Sequence, residues 1–199
     1  MPTDTSKVYT PQPPKVRGVI YRAPLGTTVP TDATTPLPAA YLDQGGISDA
    51  GIVNSQAREV TKIKDFGGKT IATPQNDYTE TLKIVFVEST NLNTLKSVYG
   101  DDNVVFTPAT ATKGAVIRVD HSAAALPESV WITETVQGKS IKRQIVPIGK
   151  PITVGDVVQI NNDVVKYEVT IEAYEFSNGT DSFFIREYHD DGTPSGGGA

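Results

Sequence analysis

The sharpest pattern in the chain is the alternation across Val164–Phe176. Val165, Tyr167, Val169, Ile171 and Ala173 share one face, and Lys166, Glu168, Thr170 and Glu172 share the other. That period of two is the signature of a half-buried strand. Tyr78–Glu88 has the same character, with Leu82, Ile84 and Phe86 on one side. Val85 and Val87 make its far end apolar on both sides, which predicts burial on both faces there. Shorter β-branched or aromatic runs predict strands at Gly18–Arg22, Arg58–Phe66, Lys69–Thr73, Val104–Thr107, Ala115–Asp120, Ser129–Val136, Ser140–Val146, Val154–Ile160 and Asp181–Tyr188. Turn signals separate them at Gly67-Gly68, Gln137-Gly138, Asn161–Asp163 and Asn178-Gly179. The last is a hairpin signal, because both residues tolerate positive φ.

The period changes to that of a helix once. Leu92, Leu95, Val98 and Tyr99 recur at helical spacing, with Ser89 or Thr90 as the expected cap and Gly100 as the expected stop. A helix of roughly ten residues is not stable alone and must pack on a sheet. The predicted fold is therefore mainly β: an antiparallel β-sandwich or partial barrel with one short flanking helix over about 90–99. No internal repeat is visible.

The ends differ from the middle. Eight of the 14 prolines fall in the first 38 residues. Residues 1–17 hold little apolar material and read as an extended arm. The domain is expected over 18–188, interrupted by a Pro/Thr/Gly-rich extended loop at 24–40, and 189–199 reads as a flexible Gly/Ser tail. A chain of 199 residues suits one domain with arms to spare. It has no cysteine, so no disulfide and no thiolate metal site is available. The N-terminus lacks a basic, then apolar leader, and no run is long enough to span a bilayer. A soluble, leaderless protein without membrane insertion is expected.

Charge is unevenly spread. Residues 151–199 carry Lys166 and Arg186 against nine acids, a balance of −7, whereas the whole chain carries −5. No cluster of Lys and Arg offers the counterion release that nucleic-acid binding needs.

Fragments that imitate catalytic motifs fail on spacing. Gly68-Lys69-Thr70 lacks the earlier glycine of a phosphate loop, since that place is Ile63. Gly46-Ile47-Ser48-Asp49-Ala50-Gly51 is one residue too long for a nucleophile elbow and reads as a polar turn. Gly100-Asp101-Asp102 reads as the close of the helix. His121 and His189 are far apart in sequence, and neither sits in a ligand pattern. No catalytic residue, metal or cofactor is predicted.

One family fits the ordered succession of segments. Val60-Thr61-Lys62-Ile63-Lys64-Asp65-Phe66-Gly67-Gly68-Lys69 resembles the strand, aromatic and Gly turn of phage major tail proteins, with Phe66 where Trp is commoner. The resemblance continues through Tyr78–Asn91, the helix Leu92–Tyr99 and Gly100-Asp101-Asp102-Asn103-Val104. Upstream, Tyr21-Arg22-Ala23-Pro24-Leu25-Gly26-Thr27 and Pro30-Thr31-Asp32 resemble the leading arm of tail tubes from phages of actinobacteria. It covers about residues 18–105 and is looser beyond.

The resemblance implies a structural virion protein of a long, non-contractile tail. Such a subunit forms hexameric rings that stack into a tube, made in the host cytoplasm and built into the virion tail. The implied partners are further copies of itself, a tape measure protein, a tail terminator and baseplate proteins, while phage DNA passes without specific binding. The acids Glu168, Glu172 and Asp181 are the expected lumen-facing charges, and residues 1–17, 24–40 and 189–199 the expected inter-subunit contacts. A terminator or baseplate-hub protein on the same fold is the alternative, and a β-sandwich adhesion module a more distant one.

Overall fold

In the computed structural model, which describes residues 3–194, the alternating run is a strand whose Tyr167, Val169, Ile171 and Ala173 are buried while the residues between are half-exposed. Fourteen strands lie among the described residues. In chain order they are β1 (Ile20–Pro24), β2 (Leu42–Asp43), β3 (Ile47–Val60), β4 (Ile63–Lys64), β5 (Thr70–Ala72), β6 (Gln75–Phe86) and β7 (Val104–Thr107). There follow β8 (Val116–Val119), β9 (Ser129–Gln137), β10 (Ser140–Val154), β11 (Tyr167–Ala173), β12 (Phe176–Ser177), β13 (Ser182–Phe183) and β14 (Arg186–Asp190). One α-helix, α1 (Leu92–Tyr99), follows β6.

The main sheet runs β2-β1-β9-β10-β11-β6-β3, with β14 also on β10, and every pairing is antiparallel. β10 is its corner. Residues 141–145 pair with β14, and residues 149–154 pair with β11 on the same edge. The register against β9 breaks between Val146 and Gly149, and against β11 between Pro151 and Thr153. Pro147 and Pro151 lack an N–H donor, so they fit where the ladder is already irregular. The sheet folds over at this corner. Ile20, Trp131 and Val146 of one half then pack in one core with Leu82, Ile84, Phe86, Val169 and Ile171 of the other.

This is the predicted mainly β sandwich, a partial barrel that does not close by hydrogen bonds. Only Gln44, Gly45 and Gly46 separate edge strand β2 from edge strand β3. Gly46 N–H donates to Glu88 Oε1 at 2.7 Å. Gly45 has φ +81°, and a Cβ there would strike the Glu88 carboxylate. The two edges are therefore bridged at one end and open along the rest.

Several expectations need correction. Val154–Ile160 is not a strand: β10 ends at Val154, and Val157, Val158 and Ile160 lie exposed in a loop. Gly155 and the Asn161-Asn162 pair interrupt the pattern on either side. Gly46–Gly51 is no free turn, because β3 begins at Ile47, with Gly51 at φ +69° inside a register irregularity. β3 ends at Val60, so the strand expected over Arg58–Phe66 is the tail of one strand followed by the short β4. Val85 and Val87 are only half-buried. Among the described residues the strands covered on both faces are β9, where Val130–Glu134 are all buried, and β10, where Arg143–Pro147 are. The tail expected over 189–199 begins inside β14, and residues 195–199 lie outside the described residues.

Candidate assembly surfaces

The longest hairpin does not stay in the sandwich. β3 and β6 pair from Ile52↔Ile84 out to Val60↔Gln75. Leu82, Ile84 and Phe86 are fully buried, but β6 is exposed over Gln75–Asp77 and β3 over Val53–Val60. Beyond them β4 and β5 pair as a two-stranded extension. Its tip turns at Gly67 and Gly68. Gly68 N–H donates to Asp65 O at 3.0 Å, Lys69 N–H donates to Asp65 Oδ1 at 2.8 Å, and Gly68 has φ +84°. Val60, Ile63 and Ile71 are exposed along this arm, Phe66 is fully exposed at its tip, and Lys62, Lys64 and Lys69 are interleaved with them. Four large apolar side chains left exposed on one short projecting arm suit a contact surface. In the sequence Val60, Ile63 and Phe66 recur every third residue, a spacing that gives a strand no single apolar face.

The second surface is the outer face of β11 and its neighbours. Glu168 and Glu172 both lie on it, but they are not alone. Lys83 Nζ sits 2.8 Å from Glu168 Oε1, and both side chains are about two-fifths exposed. Lys150 is the register partner of Glu172, which also accepts a hydrogen bond from Tyr174 OH at 3.2 Å. The face is thus mixed in charge, and its exposed pairs contribute at most about 1 kcal/mol each. Asp181 is elsewhere, in the loop between β12 and β13, paired with Arg186 at 3.0 Å. That loop differs in detail from the expected two-residue turn. Gly179 has φ +85°, but Asn178 keeps negative φ and instead accepts N–H bonds from Thr180 and Asp181 at 2.9 and 2.7 Å.

The opposite face, over β1, β9 and β10, is covered by the Pro-rich segment between β1 and β2. Val29, Leu37 and Tyr41 pack there against Tyr21, Val130, Ile132 and Ile145. A buried charge fixes this strap. Arg143 is 0% exposed and donates through Nε to Glu134 Oε1 at 2.8 Å, and to the carbonyls of Asp32 and Thr35 at 2.8 and 2.9 Å. Glu134 is 1% exposed, with Arg17 3.7 Å from its Oε2. Removing one member of such a pair strands the other and costs about 3–5 kcal/mol. Residues 24–40 are therefore bound first to their own subunit.

The helix cap is not Ser89 or Thr90. Asn91 is the N-cap, its side chain accepting the Asn93 N–H at 2.9 Å. Gly100 ends the helix at φ +98°, and its N–H donates to Lys96 O at 2.9 Å. Thr94 and Ser97, both buried, donate to Gln44 O and Gln44 Oε1, which ties α1 to the bridge between the two edges. Along the open seam lies a cleft of about 800 Å³, bordered by Tyr9, Gln12, Val19, Ile47, Thr133 and Gln144. The N-terminal segment partly covers it through the Gln12↔Val136 bridge and a Tyr9 OH–Thr135 Oγ1 bond of 3.0 Å. His121 stacks on Tyr99 and His189 meets the edge of Tyr9. Among the described residues no three acids and histidines converge as metal ligands.

Taken together, these features define a mainly β domain with open sheet edges and an exposed, partly apolar arm. Residues 1–191 match the phage tail tube protein family, and the chain belongs to it. It is a structural protein of the phage tail. The match reaches both the Pro-rich N-terminus and β14, well past the segment that carries the sequence resemblance. No curated protein matches the chain.

Proposed function

We propose that this protein polymerises as hexameric rings stacked into the tube of a long, non-contractile tail, through which the phage genome leaves. The observation that carries this reading is the pairing of open sheet edges with an exposed apolar arm. Edge strands and apolar patches left uncovered invite aggregation, and a regular assembly covers them in one defined way. The outer face of β11 and β6 is our candidate for the lumen. It offers Glu168, Glu172 and the hydroxyls of Thr81 and Thr170, with Lys83 and Lys150 each set against a carboxylate. Such a surface has no basic cluster to hold phosphates. Asp181 adds its charge from a separate hairpin. Residues 1–17 and 189–199, beyond the bonds that Tyr9, Gln12 and β14 make within the chain, contact neighbouring copies, and the tape measure, terminator and baseplate proteins meet the ends of the tube. The subunit is made in the host cytoplasm.

Negative-stain microscopy of the purified protein over a concentration series tests the reading. Hollow tubes or rings of constant diameter are expected. Dispersed monomers at every concentration would overturn it. A ring structure with Glu168 and Glu172 on the outside would remove the lumen assignment alone.

A further inference from the structure

The inner face of β6 is apolar at Leu82, Ile84 and Phe86, and the next residue on that face is Glu80. It is 4% exposed. Its carboxylate is held by neutral donors from the two strands of the arm. Asn54 Nδ2 and Gln56 Nε2 both donate to Oε1 at 3.0 Å, and Tyr78 OH donates to Oε2 at 2.9 Å. Gln56 is the direct register partner of Glu80, and Asn54 that of Leu82. The next rung outward is Arg58↔Tyr78, where the guanidinium lies 4.7 Å from the ring centroid. Phe184, whose neighbour Ile185 also packs on the core, meets the Tyr78 ring edge-on at 4.7 Å. Polar groups thus replace apolar ones on the inner face at the level where the hairpin leaves the sandwich.

An apolar side chain at position 80 would extend the core stripe by one more rung. A buried carboxylate to which, among the described residues, no cation is paired gives up that burial, and a fully hydrogen-bonded network of this kind can specify one arrangement. Beyond this point the hairpin has no third strand and no buried face, and a two-stranded ribbon in water holds its own shape poorly. Its direction must be set at the root.

We propose that Glu80 is a positioning residue for assembly: by binding both strands at the root it fixes the register and direction of the arm, so that the arm is ordered before it meets a second copy. The link to assembly rests on the tube reading above. The ordering of the arm does not.

The chain has no cysteine, so a single Phe66→Cys change carries a spin label at the tip. Glu80→Leu removes the acceptor and strands three donors. In the unassembled protein it should speed amide exchange at 54–60 and 75–79 by about tenfold or more, with β9 and β11 unchanged and the label more mobile. Glu80→Gln keeps an acceptor for both amides and should lie between the two. Tyr78→Phe, which removes one donor only, should have the smallest effect. The concentration needed for tube growth should rise in the same order. Unchanged exchange in the arm, or an equal rise through the whole domain, overturns the proposal. Wild-type protein that never forms tubes would defeat the tube reading, while the exchange data still decide the role of Glu80.

Discussion

At the scale of single residues, charges set the order of the strap. Asp32 accepts from the Thr34 and Thr35 amides at 2.7 and 2.6 Å and from the Thr35 hydroxyl. These bonds, the Thr35 hydroxyl foremost, hold its carboxyl at a pKa of about 2. A lowered folded-state pKa means that the carboxylate's contribution is complete above an ordinary aspartate pKa and is lost as pH falls through the folded value. The strap should therefore keep its turn down to about pH 4 and loosen toward pH 2. A carboxyl NMR titration checks this: a midpoint for Asp32 near 2 is expected, and one at the ordinary value would refute it. Tyr41 shows the opposite sign at the other end of the strap. Burial raises its hydroxyl to a pKa of about 12, and it donates to Thr28 O at 2.9 Å. That contribution is complete below an ordinary tyrosine pKa and is lost as pH rises through about 12. Both contributions are complete at neutral pH.

At the scale of elements, the β10 corner depends on one missing side chain. A Cβ on Gly149 would lie 2.7 Å from Trp131 Cδ1 and 2.9 Å from Ile171 Cγ2. Trp131 is fully buried, and its indole N–H donates to Gly149 O at 3.2 Å, so the ring cannot withdraw without losing that bond. Gly149→Ala should destabilise the fold by about 1–3 kcal/mol through overpacking, measured by urea unfolding with Trp131 fluorescence as the probe. An unchanged midpoint would show that the corner gives way freely. This corner also marks the limit of what the sequence made legible. β6, β11 and α1 could be read directly, because each buries one face and its pattern says so. β10 could not, since Pro147, Gly149 and Pro151 look like breaks and are in fact the bulges that let one strand serve two halves of the sheet. Sequence does not single out the cap, because Ser89, Thr90 and Asn91 are all good cap residues, and the geometry selects Asn91.

At the scale of the molecule, what pattern alone could not show is which surfaces stay uncovered. Residues 58–73 read as an ordinary hairpin, and the Pro-rich segment 24–40 read as the free contact. The fold reverses the emphasis: Arg143 holds the Pro-rich strap down, and the hairpin projects. The reason is physical. A strap needs only a few buried anchors such as Tyr41, which composition does not reveal, and a hairpin is buried or exposed according to what stands beside it. Replacing residues 61–74 by a two-residue Asn-Gly turn should leave the melting temperature of the subunit within a few degrees of wild type, because the arm tip contributes nothing to either core. Tube formation should be lost. Tubes of normal diameter from this variant would show that the arm is dispensable.

The strand order carries a consequence for time. β1 pairs with β9, so Ile20 meets Thr133 and Pro24 meets Ser129, more than a hundred positions later in the chain. At bacterial elongation speeds of about 5–20 residues per second, β1 waits on the order of 5–20 s outside the ribosome before its partner exists. During that wait most of the chain that becomes the arm, β3 and β6 has already emerged and can pair locally. The whole hairpin is thus outside the ribosome well before the sheet that carries it is complete. A nascent chain therefore exposes the apolar residues of the arm before it holds a finished sheet, and Pro24, which has no N–H to donate, makes the end of the waiting strand a poorer partner for another edge.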